Sequence, residues 1–183
     1  MKIQVVHANL IKQPDVEAVV NSANSNLRLG SGVAGAIHTA AGPMLEAHCQ
    51  PFAPLEYGRY LVTPGFKLPN LWVIHIRAAS YTNHDEAPAI LKEALEAMLR
   101  AAHDHQIRSL AFPAIGTGVF AFPPVLAAQI TASVLARADD LAPHLQLARL
   151  CLASPGLMDQ YVSAFAAAGV PVSREQSSVV SAV

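Results

Sequence analysis

Short apolar runs that alternate with helical patterns constrain this chain more than any other feature. Strand signals fall at Ile3–His7, Val16–Val20, Tyr60–Thr63, Leu71–Ile76, Ser109–Phe112 and Gln146–Leu152, most of them bounded by Gly, Pro, Asn or Asp. Between them lie the helical stretches. Gly32–Ala41 is small and apolar, and Ala87–His103 carries apolar residues at three- and four-residue spacing with Glu and Lys opposite. Pro123–Ala138 opens on proline, whose missing N–H does no harm there, and Ser154-Pro155 starts a last helix ending near Gly169. Strands alternating with helices require a mostly parallel sheet covered on both faces, a three-layer α/β/α sandwich. The helix-free connection "ANLIKQPD" between the first two strands predicts mixed or antiparallel pairing at one edge. The expected organisation is a single domain over residues 1–172 with a mobile tail over 173–183.

Composition excludes several classes. With 52% hydrophobic and 14% charged residues, 183 residues suffice for one well-filled globular domain. No run approaches the roughly 18 to 20 consecutive apolar residues of a membrane span, and the N-terminus lacks an apolar signal core, so the chain reads as cytoplasmic with no membrane partner. A net charge of −1 without a basic block gives no electrostatic footprint for nucleic acid. An anionic ligand must therefore be held by local geometry. Cys49 and Cys151 stand in no metal-ligand spacing and read as buried free thiols. His103 and His105, two residues apart at a helix end with no companion carboxylate cluster, read as solvated residues, so neither a metal site nor a cofactor is expected.

The most unusual stretch is "NSANSNLRLGSGVAGAIHTAAG", residues 21–42. Gly30-Ser31-Gly32-Val33-Ala34-Gly35 formally matches the dinucleotide fingerprint GxGxxG, but nine residues separate Val20 from Gly30 and no short βαβ return follows. The Rossmann reading fails, while its physics survives: a glycine loop opening a helix offers backbone N–H groups and positive partial charge to a phosphate. "PAIGTGVFAFP", residues 113–123, repeats the device after another strand, with Gly116 and Gly118 allowing close approach and Thr117 offering a hydroxyl. Two such loops at strand ends of one sheet imply a diphosphate held between them. Asn21 is expected to bond its own backbone as an Asx turn, and Asn24 to present its amide to a sugar hydroxyl.

The ordered set of motifs resembles the macrodomains, a family of ADP-ribose-binding modules. "VVNSANSNLRLGSGVAGAIHTAAG" is similar to their signature VNAANxxLxGGGGVxGAIHxAAG, "PAIGTGVFAFP" to PAxSTGxxGxP, and "YLVTPGFKLPNLWVIHI" to the intervening TPGYxLP turn and its strand ending in VIH. The likeness runs from about residue 3 to about residue 168. It implies that Asn24 contacts the distal ribose, that Gly30, Ser31, Gly32, Val33, Ala34 and Gly35, with Ile37 behind them, wrap that ribose and one phosphate, and that Gly116, Thr117, Gly118, Val119 and Phe120 hold the diphosphate. His38 and His75 read as structural. Ser31 has no base partner and reads as a glycine replacement that adds a hydroxyl.

Three departures qualify the resemblance. The hydrolytic branch carries an Asp after its GGGV run, where this chain has Ala34 and so no carboxylate base. Asn9 stands where many relatives have an Asp that accepts from the adenine N6 amine; its amide oxygen is expected to accept the same bond more weakly, so that Asn9→Asp tightens binding. Leu152 and Ala153 replace an aromatic that stacks on adenine. The implied function is binding of ADP-ribose, free or as a modification on a macromolecule. The alternative is hydrolysis of an ADP-ribosyl ester, O-acetyl-ADP-ribose or ADP-ribose-1″-phosphate without the loop Asp, with Asn24 the one catalytic candidate. A third reading takes another nucleotide or an RNA end as ligand.

Overall fold

Alternate residues of a strand face opposite sides of its sheet, and here both sides are apolar. The computed structural model describes residues 1–176. In chain order the elements are β1 (Lys2–His7), β2 (Ala18–Ser22), α1 (Gly32–Ala41), α2 (Pro43–Cys49), β3 (Leu61–Pro64), β4 (Trp72–Ile76), α3 (Ala87–Asp104), β5 (Ser109–Pro113), α4 (Pro124–Leu135), α5 (Ala138–Leu141), β6 (Leu147–Leu152), α6 (Pro155–Ala167) and β7 (Ser173–Gln176). The strands make one sheet in the order β3-β4-β2-β5-β6-β1-β7, parallel throughout except for β3 against β4. Val5, Val20, Phe112 and Leu150 face one side and pack with Leu95 of α3, Ala128 of α4 and Phe165 of α6. Val6, Val19, Ala111 and Cys151 face the other and pack with Ile37 of α1 and Leu45 of α2. The fold is a three-layer α/β/α sandwich around a mixed, mostly parallel sheet.

Four features differ from the sequence expectations. First, β1 and β2 are not an antiparallel pair: β6 and β5 lie between them, and β1 pairs parallel with β6. Their connection, residues 8–17, runs across the α1–α2 face, where Leu10, Ile11 and Val16 join the apolar cluster. About ten residues at up to ~3.5 Å each cross three strand spacings of ~4.8 Å with ease, so no helix is needed. The antiparallel edge is β3 instead. Second, residues 173–176 pair parallel with Gln4–His7 of β1, which carries the folded unit past the expected boundary at 172. Arg174 pairs with Asp159 of α6 at 2.9 Å, and Gln4 donates to Glu175 at 2.9 Å, so this polar strand is fastened by side chains and leaves no apolar signature. The remainder of the expected tail, 177–183, lies outside the described residues.

Third, β2 extends through Asn21 and Ser22, because Asn21 finds a buried partner on β4. Fourth, α4 ends at Leu135, where Arg137 N–H bonds back to the Val134 carbonyl and tightens the chain before α5. No helix among the described residues is long and apolar enough to cross a membrane.

Candidate functional site

The parallel neighbours β2 and β5 send their chains to opposite faces: β2 leads to α1 on one side, β5 to α4 on the other. A crevice must open at the carboxyl ends of such a pair, which is where ligands enter open α/β sheets. The structure has a cleft there in two compartments. The first, about 240 Å³, is walled by the two glycine loops, and the second, about 930 Å³, lies under the loop that follows β1. Gly32, Val33 and Pro113 line both, so the compartments share a wall.

Backbone geometry shapes the first compartment. Gly35 sits where α1 presses on its own entry loop: a Cβ there would collide with the Gly30 carbonyl. Gly116 has φ +89°, and a Cβ would lie 2.8 Å from the Phe122 ring, so only glycine fits. Asn24 braces the first loop from within. Its Nδ2 donates to the Arg28 carbonyl at 2.7 Å, and its Oδ1 accepts from Arg28 N–H at 3.0 Å. Asn21, expected to bond its own backbone, instead faces His75 at 3.1 Å, and the local side-chain-to-backbone bonds of this stretch are made by Asn24. In the second loop Thr117 Oγ1 donates to the Ala114 carbonyl at 2.8 Å, and Tyr81 N–H holds the Phe120 carbonyl at 2.8 Å. Neither α1 nor α4 carries an acidic residue in its first turn, so the positive ends of both helices are uncompensated. Among the described residues no ionisable side chain lines this compartment.

Of the residues expected at a ligand, Asn24, Gly30, Ser31, Gly32, Val33, Ala34, Gly116, Gly118, Val119 and Phe120 line the first compartment, and Asn9 and Ala153 line the second. Four do not. Ile37 and Leu152 are fully buried on opposite faces of the sheet, because strand and helix periodicity turns them inward. Gly35 acts by close packing, and the Thr117 hydroxyl closes its own turn. Sequence reasoning missed Ser22, Pro113 and Ala114, although their place at the strand ends was the available signal. It also missed Met158 and Arg174 on the second compartment, for which no local motif exists.

A side-chain network holds the second compartment's loop. Arg149 of β6 forks onto Asp15 at 2.8 and 2.7 Å, and reaches Gln4 at 2.8 Å and Gln13 at 2.9 Å. Gln13 Nε2 in turn donates to the Asn9 carbonyl at 2.8 Å, while Asn70 Nδ2 holds the carbonyls of Gln13 and Val16 at 2.7 and 2.9 Å. Hydrogen bonding from Arg149 holds the Asp15 carboxyl below its ordinary pKa.

Beneath the first compartment runs a buried polar seam. Asn21 Nδ2 lies 3.1 Å from His75 Nδ1, and His75 Nε2 lies 3.0 Å from Thr63 Oγ1. An amide nitrogen only donates, so Nδ1 accepts and Nε2 carries the proton that Thr63 receives. Burial pushes His75 down to about 3 and lowers His38, and raises the thiols of Cys49 and Cys151 to about 11 and about 12. These histidines are neutral, and the free thiols are not activated as nucleophiles. Among the described residues no three His, Cys, Asp or Glu converge on a metal position.

Fold and cleft together define an α/β/α protein with a backbone-walled site at a switch point of its sheet. Its sequence matches the Macro domain model over residues 20–131. A macro domain-containing protein of Lactiplantibacillus plantarum is 37% identical over 146 residues, covering 79% of this chain and 84% of that protein. The ADP-ribose glycohydrolase MACROD1 of Bos taurus is 38% identical over 136 residues, which span 73% of this chain but 42% of that longer protein. Among solved structures, the Trypanosoma brucei macrodomain in complex with ADP-ribose matches with a TM-score of 0.81 at 26% identity, over 88% of this chain and 68% of that one. The chain belongs to the macrodomain family.

Proposed function

We propose that this protein binds ADP-ribose, free or as an ADP-ribosyl group on a macromolecule, with the diphosphate between the glycine loops and the nucleoside in the larger compartment. The observation that carries this reading is the first compartment itself: two loops of backbone donors, each opening an unopposed helix N-terminus, with no ionisable side chain on the wall among the described residues. Such a wall suits a dianionic bridge and supplies no general acid or base. The Trypanosoma brucei relative bound to ADP-ribose supports the ligand assignment.

The second reading is hydrolysis of an ADP-ribose derivative, favoured by the likeness to the Bos taurus glycohydrolase. Ala34 lines the cleft where that chemistry needs a carboxylate, and both ends of the Asn24 amide are already engaged with Arg28. Hydrolysis would then rest on the substrate's own phosphate or hydroxyls orienting water. Calorimetric titration with ADP-ribose, ADP and AMP tests the first reading, which expects a clear preference for ADP-ribose. Turnover of a protein ADP-ribosylated on acidic side chains, compared with Asn24→Ala, tests the second. Product release by the wild type that is lost in the variant makes the protein an enzyme; binding without release makes it a reader.

A further inference from the structure

The sequence Ser173-Arg174-Glu175-Gln176 holds no apolar residue, so the hydrophobic effect does not account for β7 joining the sheet. Two of its side chains lead to the larger compartment instead. Arg174 lines the wall directly. Glu175 reaches the wall through a chain of hydrogen bonds. Gln4 Nε2 donates to its carboxylate at 2.9 Å, and Arg149 Nε donates to Gln4 Oε1 at 2.8 Å. Arg149 Nη1 then donates to Gln13 Oε1 at 2.9 Å, and Gln13 Nε2 to the Asn9 carbonyl at 2.8 Å. Asn9 and Gln13 both line the compartment. The register permits this chain: Glu175 lies opposite Val6, two residues from Gln4, and Arg149 two residues from Cys151, on the face that residues 8–17 cross.

The middle of the chain fixes its direction. Gln4 is buried, with a guanidinium at its amide oxygen and a carboxylate at its amide nitrogen, so its amide has one orientation. Without the carboxylate, the buried NH₂ group loses its acceptor among the described residues, and Gln4 must turn and release Arg149. We propose that β7 belongs to the nucleoside end of the site, with Glu175 a positioning residue that sets the loop over the larger compartment through Gln4, Arg149 and Gln13. This rests on reading that compartment as the seat of the nucleoside. A ligand that needs the loop in place then tightens β7, and loosening β7 weakens the ligand by no more than the same factor. The strand's ion pairs, Arg174 with Asp159 and Lys2 with Glu175, are exposed and fasten little, so the coupling is open to measurement.

The experiment has two readouts on the full chain. The first is amide hydrogen exchange with and without saturating ADP-ribose, comparing β7 with β3, the opposite edge strand, which among the described residues lines neither compartment. Bound ADP-ribose is expected to slow exchange in β7 about fivefold and to leave β3 within about twofold. The second is calorimetric titration of Glu175→Ala and Glu175→Gln with ADP-ribose, with thermal unfolding alongside. Glu175 is exposed, so neither variant threatens the fold. Glu175→Ala should bind about fivefold more weakly at an unchanged Tm. Glu175→Gln drops the Lys2 pair but keeps an oxygen for Gln4 Nε2, and should restore affinity to within about twofold of wild type. Exchange in β7 that ignores the ligand, wild-type affinity in Glu175→Ala, or no rescue by Glu175→Gln overturns the inference while the cleft's function stands. Failure of the wild type to bind ADP-ribose removes that function, and the inference with it.

Discussion

Between the glycine loops the cleft is walled by backbone and small side chains and is kept in shape by steric contact, Gly35 against Gly30 and Gly116 against Phe122. At the base end the wall is one long loop, kept in shape by side chains that reach in from distant strands, Arg149 from β6 and Asn70 from the turn before β4. The first wall has few ways to vary: its donors are main-chain groups, and its dimensions depend on missing Cβ atoms. The second is lined by side chains such as Asn9, Lys12 and Arg174, so exchanging one of them changes the groups it presents. The contrast teaches where specificity can drift in this molecule while diphosphate binding persists.

The largest effect belongs to the steric wall. Gly35→Val drives a branched side chain into the Gly30 carbonyl, and α1 and its entry loop must separate. Overpacking of this kind costs about 1–3 kcal/mol, and here the displaced segment is the glycine loop that walls the first compartment. Titration with ADP-ribose and with ADP should show affinity lower by roughly 100-fold for both, since both carry the diphosphate. A variant that still binds ADP normally breaks the comparison, because the first compartment would then not depend on that contact.

Legibility follows the same division. The glycine loops were readable because steric demands of the backbone select a residue type at a fixed spacing: Gly30, Gly32, Gly116 and Gly118 all line the cleft. The sandwich was readable because period-two burial writes itself into strands such as Val5-Val6 and Val19-Val20. The Arg149 network was not readable. Its partners Gln4, Gln13 and Asp15 lie more than 130 positions away in the chain and share no motif with it. Strand β7 escaped notice because Ser-Arg-Glu-Gln carries no apolar alternation, and Asn21 was misread because a polar strand residue is legible only with its partner His75 in view.

A smaller effect tests whether the seam under the first compartment is structural. His75 is held near 3 by burial, against about 6.5 in an unfolded chain. Below pH 6.5 the unfolded state binds a proton that the folded state refuses, so unfolding takes up protons and stability falls as pH drops. The loss runs from 6.5 down to about 3 and is flat above 6.5, at about 1.4 kcal/mol per unit for a single group, or about 2 kcal/mol at pH 5. His38, also lowered by burial, adds in the same direction. Denaturant midpoints at pH 5 and pH 8 measure the slope, and His75→Gln should flatten it whatever its own stability. A slope that survives the substitution assigns the effect to other groups.

The base end should respond to its anchor with the smallest of these effects and the sharpest pattern. Arg149→Met keeps an apolar stem of similar reach but withdraws the guanidinium from Gln4, Gln13 and Asp15 at once. Gln13 then holds the Asn9 carbonyl without a fixed support of its own, so the loop remains in place on average but loses its register over the base. Affinity for ADP-ribose is expected to fall about tenfold, while affinity for ribose 5-phosphate, which has no base, stays within about twofold. A purely global destabilisation would lower both ligands together, and no change in either would mean that the apolar residues Leu10 and Ile11 hold the loop unaided. Only a loss confined to the base-bearing ligand makes Arg149 the anchor of that compartment and leaves the steric wall next to it untouched.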